Sequence, residues 1–246
     1  MDFSILGPLE VRHAGVPLAI PGMKRRALLI ALLAHAGRSV SLLELTRWLW
    51  PLGRPPRSAT IVIQAHVSSL RRILEPEHPL IRTTPGGYRI QVEPKQLDSA
   101  RFAAMVEDGT RLLQREQPEE AAKVLEEALG LWRGAALHDV HDVPAAQSEV
   151  LLLEELRLNA ILQSNEAALG LGRAAELIPQ LTVLTARHPF HERFHAQLMR
   201  ALAGSGRRAE ALATYQHARR ILARELGVEP GPELRAVEAQ ILHGEA

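Results

Sequence analysis

The sequence predicts an α+β winged helix-turn-helix followed by an all-α helical repeat domain of the tetratricopeptide kind. Three observations carry that expectation: the order of elements before residue 94, the disappearance of strand signals after Pro94, and a short pattern that returns 34 residues later. With 246 residues the chain is long enough for two ordinary domains, set here at 1–94 and 95–246.

The first twenty residues read as short strands. Phe3, Ile5, Leu9 and Val11 alternate around a Gly7-Pro8 turn, and Val16, Leu18 and Ile20 alternate after Ala14-Gly15. A helix begins near Met23, is apolar nearly all round through Leu33, and stops at Gly37. Ser41-Leu-Leu-Glu44 has the form of a capping box and opens a second helix with Leu45, Trp48 and Leu49, closed by Pro51. The third helix runs from about Ser58 to Leu74. Its residues Ile63, Val67, Leu70 and Leu74 are spaced four, three and four apart, which makes one core stripe. At about 100° per residue the opposite face carries Ile61, Ala65, Ser68, Ser69 and Arg72, flanked by Gln64 and Arg71. Ile81–Thr84, a tight turn at Pro85-Gly-Gly87 and Tyr88–Ile90 then read as a basic hairpin.

After Pro94 come helices at about 98–115, 118–132, 146–170, 173–187, 190–204, 207–227 and 231–243. Gly172-Arg-Ala-Ala-Glu176 returns as Gly206-Arg-Arg-Ala-Glu210, the tetratricopeptide period. Arrays of that kind stack into a concave surface suited to peptides or other proteins.

Charge separates the two regions. Residues 1–94 hold twelve Lys/Arg and six Asp/Glu, for +6; the remaining 17 and 22 give −5, and the whole chain is +1. Such an opposition points to a polyanion facing the first region only. The absence of cysteine excludes disulfides, thiol catalysis and thiolate zinc sites. Nothing at the N-terminus resembles a secretory signal, and the longest apolar run, Ala27 to Ala34, falls far short of the roughly 20 residues a membrane span needs. The expectation is a cytoplasmic, nucleoid-associated protein with no membrane contact.

One helix fits the major groove and presents its outward side chains to base edges. Gln64 suits adenine, Arg71 or Arg72 suits guanine or phosphate, and Ile61 or Ala65 suits thymine methyls. Arg57, Thr60, Ser68 and Ser69 are candidate phosphate contacts, and the wing offers Thr83, Thr84, Tyr88 and Arg89. The plainer reading is that Arg71 and Arg72 solvate the helix and pair with Glu75. His191-Glu-Arg-Phe-His195 matches the H-E-x-x-H pattern of zinc peptidases, but no extension or third ligand follows and it lies inside the repeat array. His138-Asp-Val-His141-Asp142 reads as an exposed loop, and Gly170-Leu-Gly172 as a turn with no strand before it. No Walker-type loop or hydrolase triad is present, so neither enzyme chemistry, metal nor cofactor is expected.

These residues also carry a resemblance. Leu6-Gly-Pro-Leu-Glu-Val11, Val67-Ser-Ser-Leu-Arg-Arg72, Pro85-Gly-Gly-Tyr-Arg89, Ala128-Leu-Gly-Leu-Trp-Arg-Gly134, His188-Pro-Phe-His-Glu192 and Glu225-Leu-Gly-Val-Glu-Pro-Gly-Pro-Glu-Leu234 are similar to the Streptomyces antibiotic regulatory protein family. There an OmpR/PhoB-type winged helix precedes a bacterial transcriptional activator domain. The resemblance spans essentially the whole chain. It implies a promoter-binding activator that sits on direct repeats as a homodimer or side by side, contacts the sigma and alpha subunits of RNA polymerase, and switches on secondary-metabolite genes. By position it makes the helix with Gln64, Ser68, Arg71 and Arg72 the recognition helix and the hairpin with Tyr88 the wing. The chain departs from the pattern at Ser69, where relatives usually carry a basic residue, and response-regulator relatives have arginine at both Ser68 and Ser69. Tandem binding would compensate for those contacts by raising effective concentration. The alternative is a repeat scaffold whose winged helix does not bind DNA.

Overall fold

The computed structural model describes residues 1–51, 53–74 and 79–244. The chain divides into two compact units, Met1–Glu107 with Glu127–Leu158, and Asp108–Glu126 with Asn159–Ala246.

The first unit opens with an antiparallel sheet of β1 (Asp2–Ser4), β2 (Glu10–His13) and β3 (Val16–Pro17). Helices α1 (Met23–Ala34), α2 (Leu42–Leu49) and α3 (Ala59–Leu74) follow, with a short strand β4 (Val40–Ser41) between the first two. A second sheet has the order β4-β6-β5, where β5 (Ile81–Thr84) and β6 (Gly87–Ile90) form the wing hairpin. Winged helix and repeat helices both stand as the sequence predicts. Helix α1 is buried from Ala27 to Leu33, and the Ser41 hydroxyl caps α2 by accepting from the Glu44 amide at 3.1 Å. Gly87 has a packing reason: a Cβ there would lie 2.0 Å from the Val40 carbonyl, so only glycine lets β6 pair with β4.

The segment Ile5–Leu9 departs from the alternation read in the sequence. Ile5 and Leu6 are both fully buried, and neither belongs to a strand. Their amides donate to the Asp98 carboxylate at 2.8 to 3.0 Å, while their carbonyls accept from the amides of Leu137 and Arg133. The Leu9 amide donates to Asp139 at 2.6 Å, and Arg26 binds both Asp139 and the Leu9 carbonyl. Residues near 98 and 130–140 thus satisfy a backbone that no strand partner reaches. Asp98 is 5% exposed, and burial raises its carboxyl pKa, opposed by the three amides it accepts and by Arg133.

Helices α4 (Asp98–Gln114), α5 (Pro118–Leu129) and α6 (Gln147–Gly170) contribute to both units. Helix α5 stops three residues earlier than the sequence predicts, because residues after it turn back to bond the Ile5–Gly7 backbone between β1 and β2. Trp132 stacks edge-on to Phe102 and under Arg157 in the first unit.

The second unit continues with α7 (Ala174–Arg187), α8 (Glu192–Gly204), α9 (Arg208–Ile221) ending in a π-helical turn over Leu222–Leu226, and α10 (Pro232–His243). The 34-residue repeat is visible in the backbone. Gly172 and Gly206 both take positive φ, and Arg173 and Arg207 both donate their amides six-to-one across the preceding helix end, to Ala168 and Leu202. Asn165, Gln197, Glu166 and Arg200 form a polar cluster between α6 and α8. The Asn165 amide donates to Gln197, and Gln197 and Arg200 both donate to Glu166.

Candidate DNA-binding interface

Helix α3 is held by one face and bare on the other. Ala59, Ile63, Val67, Leu70 and Leu74 are buried, which is the stripe the sequence predicts with one turn added at its start. Thr60, Ile61, Gln64, Ala65, Ser68 and Arg72 are exposed, and Arg57 is exposed just before the helix. Ile61 keeps 67% of its surface open to solvent, large for a β-branched apolar side chain. The helix contains no acidic residue, so its outer face has nothing on it to repel phosphate.

The flanks of α3 differ. Ser69 is half-buried, on the same side as Val62, His66 and Ile73. Burial holds His66 below the usual histidine range, and the charges of Arg25 and Lys24 lower it further. Lys24 lies over the Trp50 ring at 4.3 Å, while Trp48 is buried in the core.

Arg71 is committed to the wing. Its Nε donates to the Ile81 carbonyl and its terminal nitrogen to Thr83 Oγ1, both at 3.0 Å. Arg72 makes no ion pair or hydrogen bond with any described residue; Glu75, the partner considered for both arginines, lies outside the described residues. Among the described residues the two adjacent arginines are therefore met differently: Arg71 fastens the hairpin to the helix, and Arg72 bonds to none.

On the wing, Thr83 is exposed and Thr84 half-buried, with its hydroxyl 2.5 Å from that of Ser39. Tyr88 is only 7% exposed, placed between Thr83 on β5 and Val40 on β4. Arg89 is half-buried, and its Nε has no hydrogen-bond partner among the described residues. The hairpin register brings in a residue that sequence reasoning missed. Arg82, exposed on β5, stands directly opposite Arg89. The signal was available, since a two-residue loop at Pro85-Gly86 fixes that pairing.

The histidine motifs have structural partners. His195 is 1% exposed and its Nε2 lies 3.0 Å from the Pro189 carbonyl, a contact in which Nε2 donates. Burial lowers its pKa, favouring the neutral ring. Glu192 accepts the Gly231 amide at 2.6 Å, where α10 begins. In the other motif Asp139 holds Leu9 and Arg26. Among the described residues no group of three or more His, Asp or Glu is arranged to hold a metal ion. No helix among them is long and apolar enough to cross a membrane.

Comparison with known proteins agrees with this fold. Residues 21–90 match the family model "Transcriptional regulatory protein, C terminal", and residues 97–242 match "Bacterial transcriptional activator domain". The regulatory protein DnrI of Streptomyces peucetius is 37% identical over all of this chain and 93% of its own length. The transcriptional regulator RedD of Streptomyces coelicolor is 36% identical over 98% of this chain and 70% of its own. A solved structure of Mycobacterium tuberculosis EmbR, in complex with a low-affinity phosphopeptide, superposes with a TM-score of 0.91 at 33% identity; it covers all of this chain and 65% of that one. AfsR of Streptomyces griseus is 37% identical, but this chain spans a quarter of its length. An OmpR/PhoB-type winged helix followed by an activator domain, shared with DnrI over 93% of its length, places this chain in the Streptomyces antibiotic regulatory protein family of transcriptional regulators.

Proposed function

We propose that this protein is a sequence-specific DNA-binding activator that reads promoter direct repeats through α3 and the wing and recruits RNA polymerase to a secondary-metabolite gene cluster. The observation that carries the reading is the outer face of α3: exposed, free of carboxylates, and bearing Gln64, Ser68 and an Arg72 with no partner among the described residues. Residues 1–94 act as the DNA-binding domain and 95–246 as the activator domain; the two matched family models fall within those limits.

Gln64 reads bases, with Ile61 and Ala65 against thymine methyls, and Arg72 takes a backbone phosphate. Arg57, Thr60, Ser68 and Ser69 position the helix on the backbone, and Thr83, Thr84 and Arg89 act from the wing. Arg71 contributes by holding that wing, and Tyr88 contributes from within it. With Ser68 and Ser69 in place of basic residues, each protomer gains few phosphate contacts, and side-by-side or dimeric binding supplies the missing affinity. The sigma and alpha subunits of polymerase are the expected protein partners.

The test is binding of the purified protein to the DNA upstream of its own gene, titrated with salt against random competitor. A complex that survives competitor and weakens log-linearly with salt supports the reading. Affinity equal for upstream and random DNA, with no sequence enriched from a random pool, would remove it and leave the repeat array as a protein-binding scaffold.

A further inference from the structure

The wing hairpin pairs β5 and β6 with Ile81 opposite Ile90, Arg82 opposite Arg89 and Thr83 opposite Tyr88. Residues directly opposite in an antiparallel pair share a face, and their Cβ atoms lie about 4.5–5.5 Å apart. Two guanidinium groups are therefore rooted side by side. Alternation puts them on the sheet face opposite Ile81, Thr83, Tyr88 and Ile90, the face that Arg71 fastens to α3.

Like charges in this position repel, and a fold has no need of them there. Other arginines of this unit are met by carboxylates, as with Arg26 and Asp139 or Arg133 and Glu10. Neither Arg82 nor Arg89 has an ion pair or hydrogen bond with any described residue. The Arg89 Nε is shielded from solvent as well as unpartnered, so it lacks water's compensation too.

We infer that Arg82 and Arg89 form a phosphate clamp on the wing, two guanidinium forks closing on one phosphate group. A guanidinium presents five N–H donors in a planar fork that matches phosphate oxygens, and two forks on neighbouring strands converge on one group without strand movement. The clamp rests on the DNA-binding reading for its natural source of phosphate, a backbone phosphodiester beside the wing. A free phosphate ion offers the same chemistry.

The experiment uses the full chain and the variants Arg82→Gln, Arg89→Gln and the double, with Arg219→Gln, an arginine of the second unit bound by Glu229, as a control. Affinity for a random-sequence duplex is measured by fluorescence anisotropy across salt. One shared phosphate predicts that the slope of log affinity on log salt falls by about one unit in the double variant, at roughly 0.9 per phosphate. Each single variant then shows most of that fall, and the control none. A fall of about two units, additive between the singles, would mean two separate contacts and overturn the clamp.

Thermal melting distinguishes the source. In chloride the single variants melt about one to three degrees higher than the parent chain, because repulsion has gone. At matched ionic strength, inorganic phosphate raises the parent's midpoint and leaves that of the double variant unchanged if a free ion suffices. Should the parent bind no DNA while the phosphate effect persists, the clamp stands and the DNA reading falls. Unchanged salt slopes together with no phosphate effect would overturn the clamp while leaving the DNA reading intact.

Discussion

Three arginines of α3 and the wing differ from three on or beside α8 and α9 in what meets them. Arg200 on α8 binds Glu166 with two nitrogens, Arg207 just before α9 binds Glu210 with two, and Arg219 on α9 binds Glu229 with two. On α3 and the wing, Arg72, Arg82 and Arg89 have no carboxylate among the described residues. A cation whose partner is supplied by its own fold helps hold that fold. One left without a partner is available to an external anion, and three of them flanking a carboxylate-free helix face suit a polyanion.

The comparison sharpens first at the most heavily partnered charge in the first unit. Asp98→Ala strands the amides of Ile5, Leu6 and Ser99, and should cost about 3 kcal/mol or more at roughly 1 kcal/mol or more per orphaned donor. Chemical denaturation reads it; a loss under 1 kcal/mol would show that water replaces the carboxylate.

Next is Arg200→Ala, which leaves Glu166 with only Gln197 in a partly exposed cluster. A loss of about 1–2 kcal/mol is expected after allowance for solvent screening, with DNA affinity unchanged. Weaker DNA binding in that variant, at unaltered stability, would erase the distinction between the two groups of arginines.

Arg71→Ala tests the intermediate case. Two hydrogen bonds to the wing are lost, so both stability and DNA affinity should fall, the former by about 1 kcal/mol. Loss of affinity at unchanged stability would put its guanidinium on DNA instead.

The smallest effect is on pH. His66 and His195 are both held below the usual histidine value by burial. Folding thus favours their neutral rings, and the unfolded chain takes up protons first as pH falls. Their stability contribution is complete above about 6.5, the ordinary value, and is lost as pH drops through that value toward the lowered ones. His195→Gln should flatten the acid limb of a stability-against-pH curve between 7 and 5; an unchanged limb would mean that other groups carry it.

Periodicity made much of this legible in advance. The stripe on α3 follows from four apolar residues at helical spacing, the cap on α2 from Ser41 and Glu44, and the repeat from two copies of one glycine-led pattern. The parts that escaped depend on residues far apart in sequence. Nothing near Asp98 says that it will meet the amide of Ile5, 93 positions away, or near Asp139 that it will hold Leu9. Arg71 and Arg72 are also equivalent as letters. Their different roles come from a 100° step around the helix that turns one toward β5. Tyr88 is drawn inward for a similar reason: as the central strand, β6 places it between Thr83 and Val40.

The central claim, that Arg219, held by Glu229, serves the fold and that Arg72, with no carboxylate among the described residues, faces DNA, meets its most direct test in a single pair of variants. Arg72→Gln and Arg219→Gln would be compared by salt titration of binding to upstream DNA. The account predicts that the first lowers the slope of log affinity on log salt by about one unit and leaves the unfolding midpoint alone, whereas the second leaves the slope unchanged. Equal slopes in both variants and the parent would contradict it.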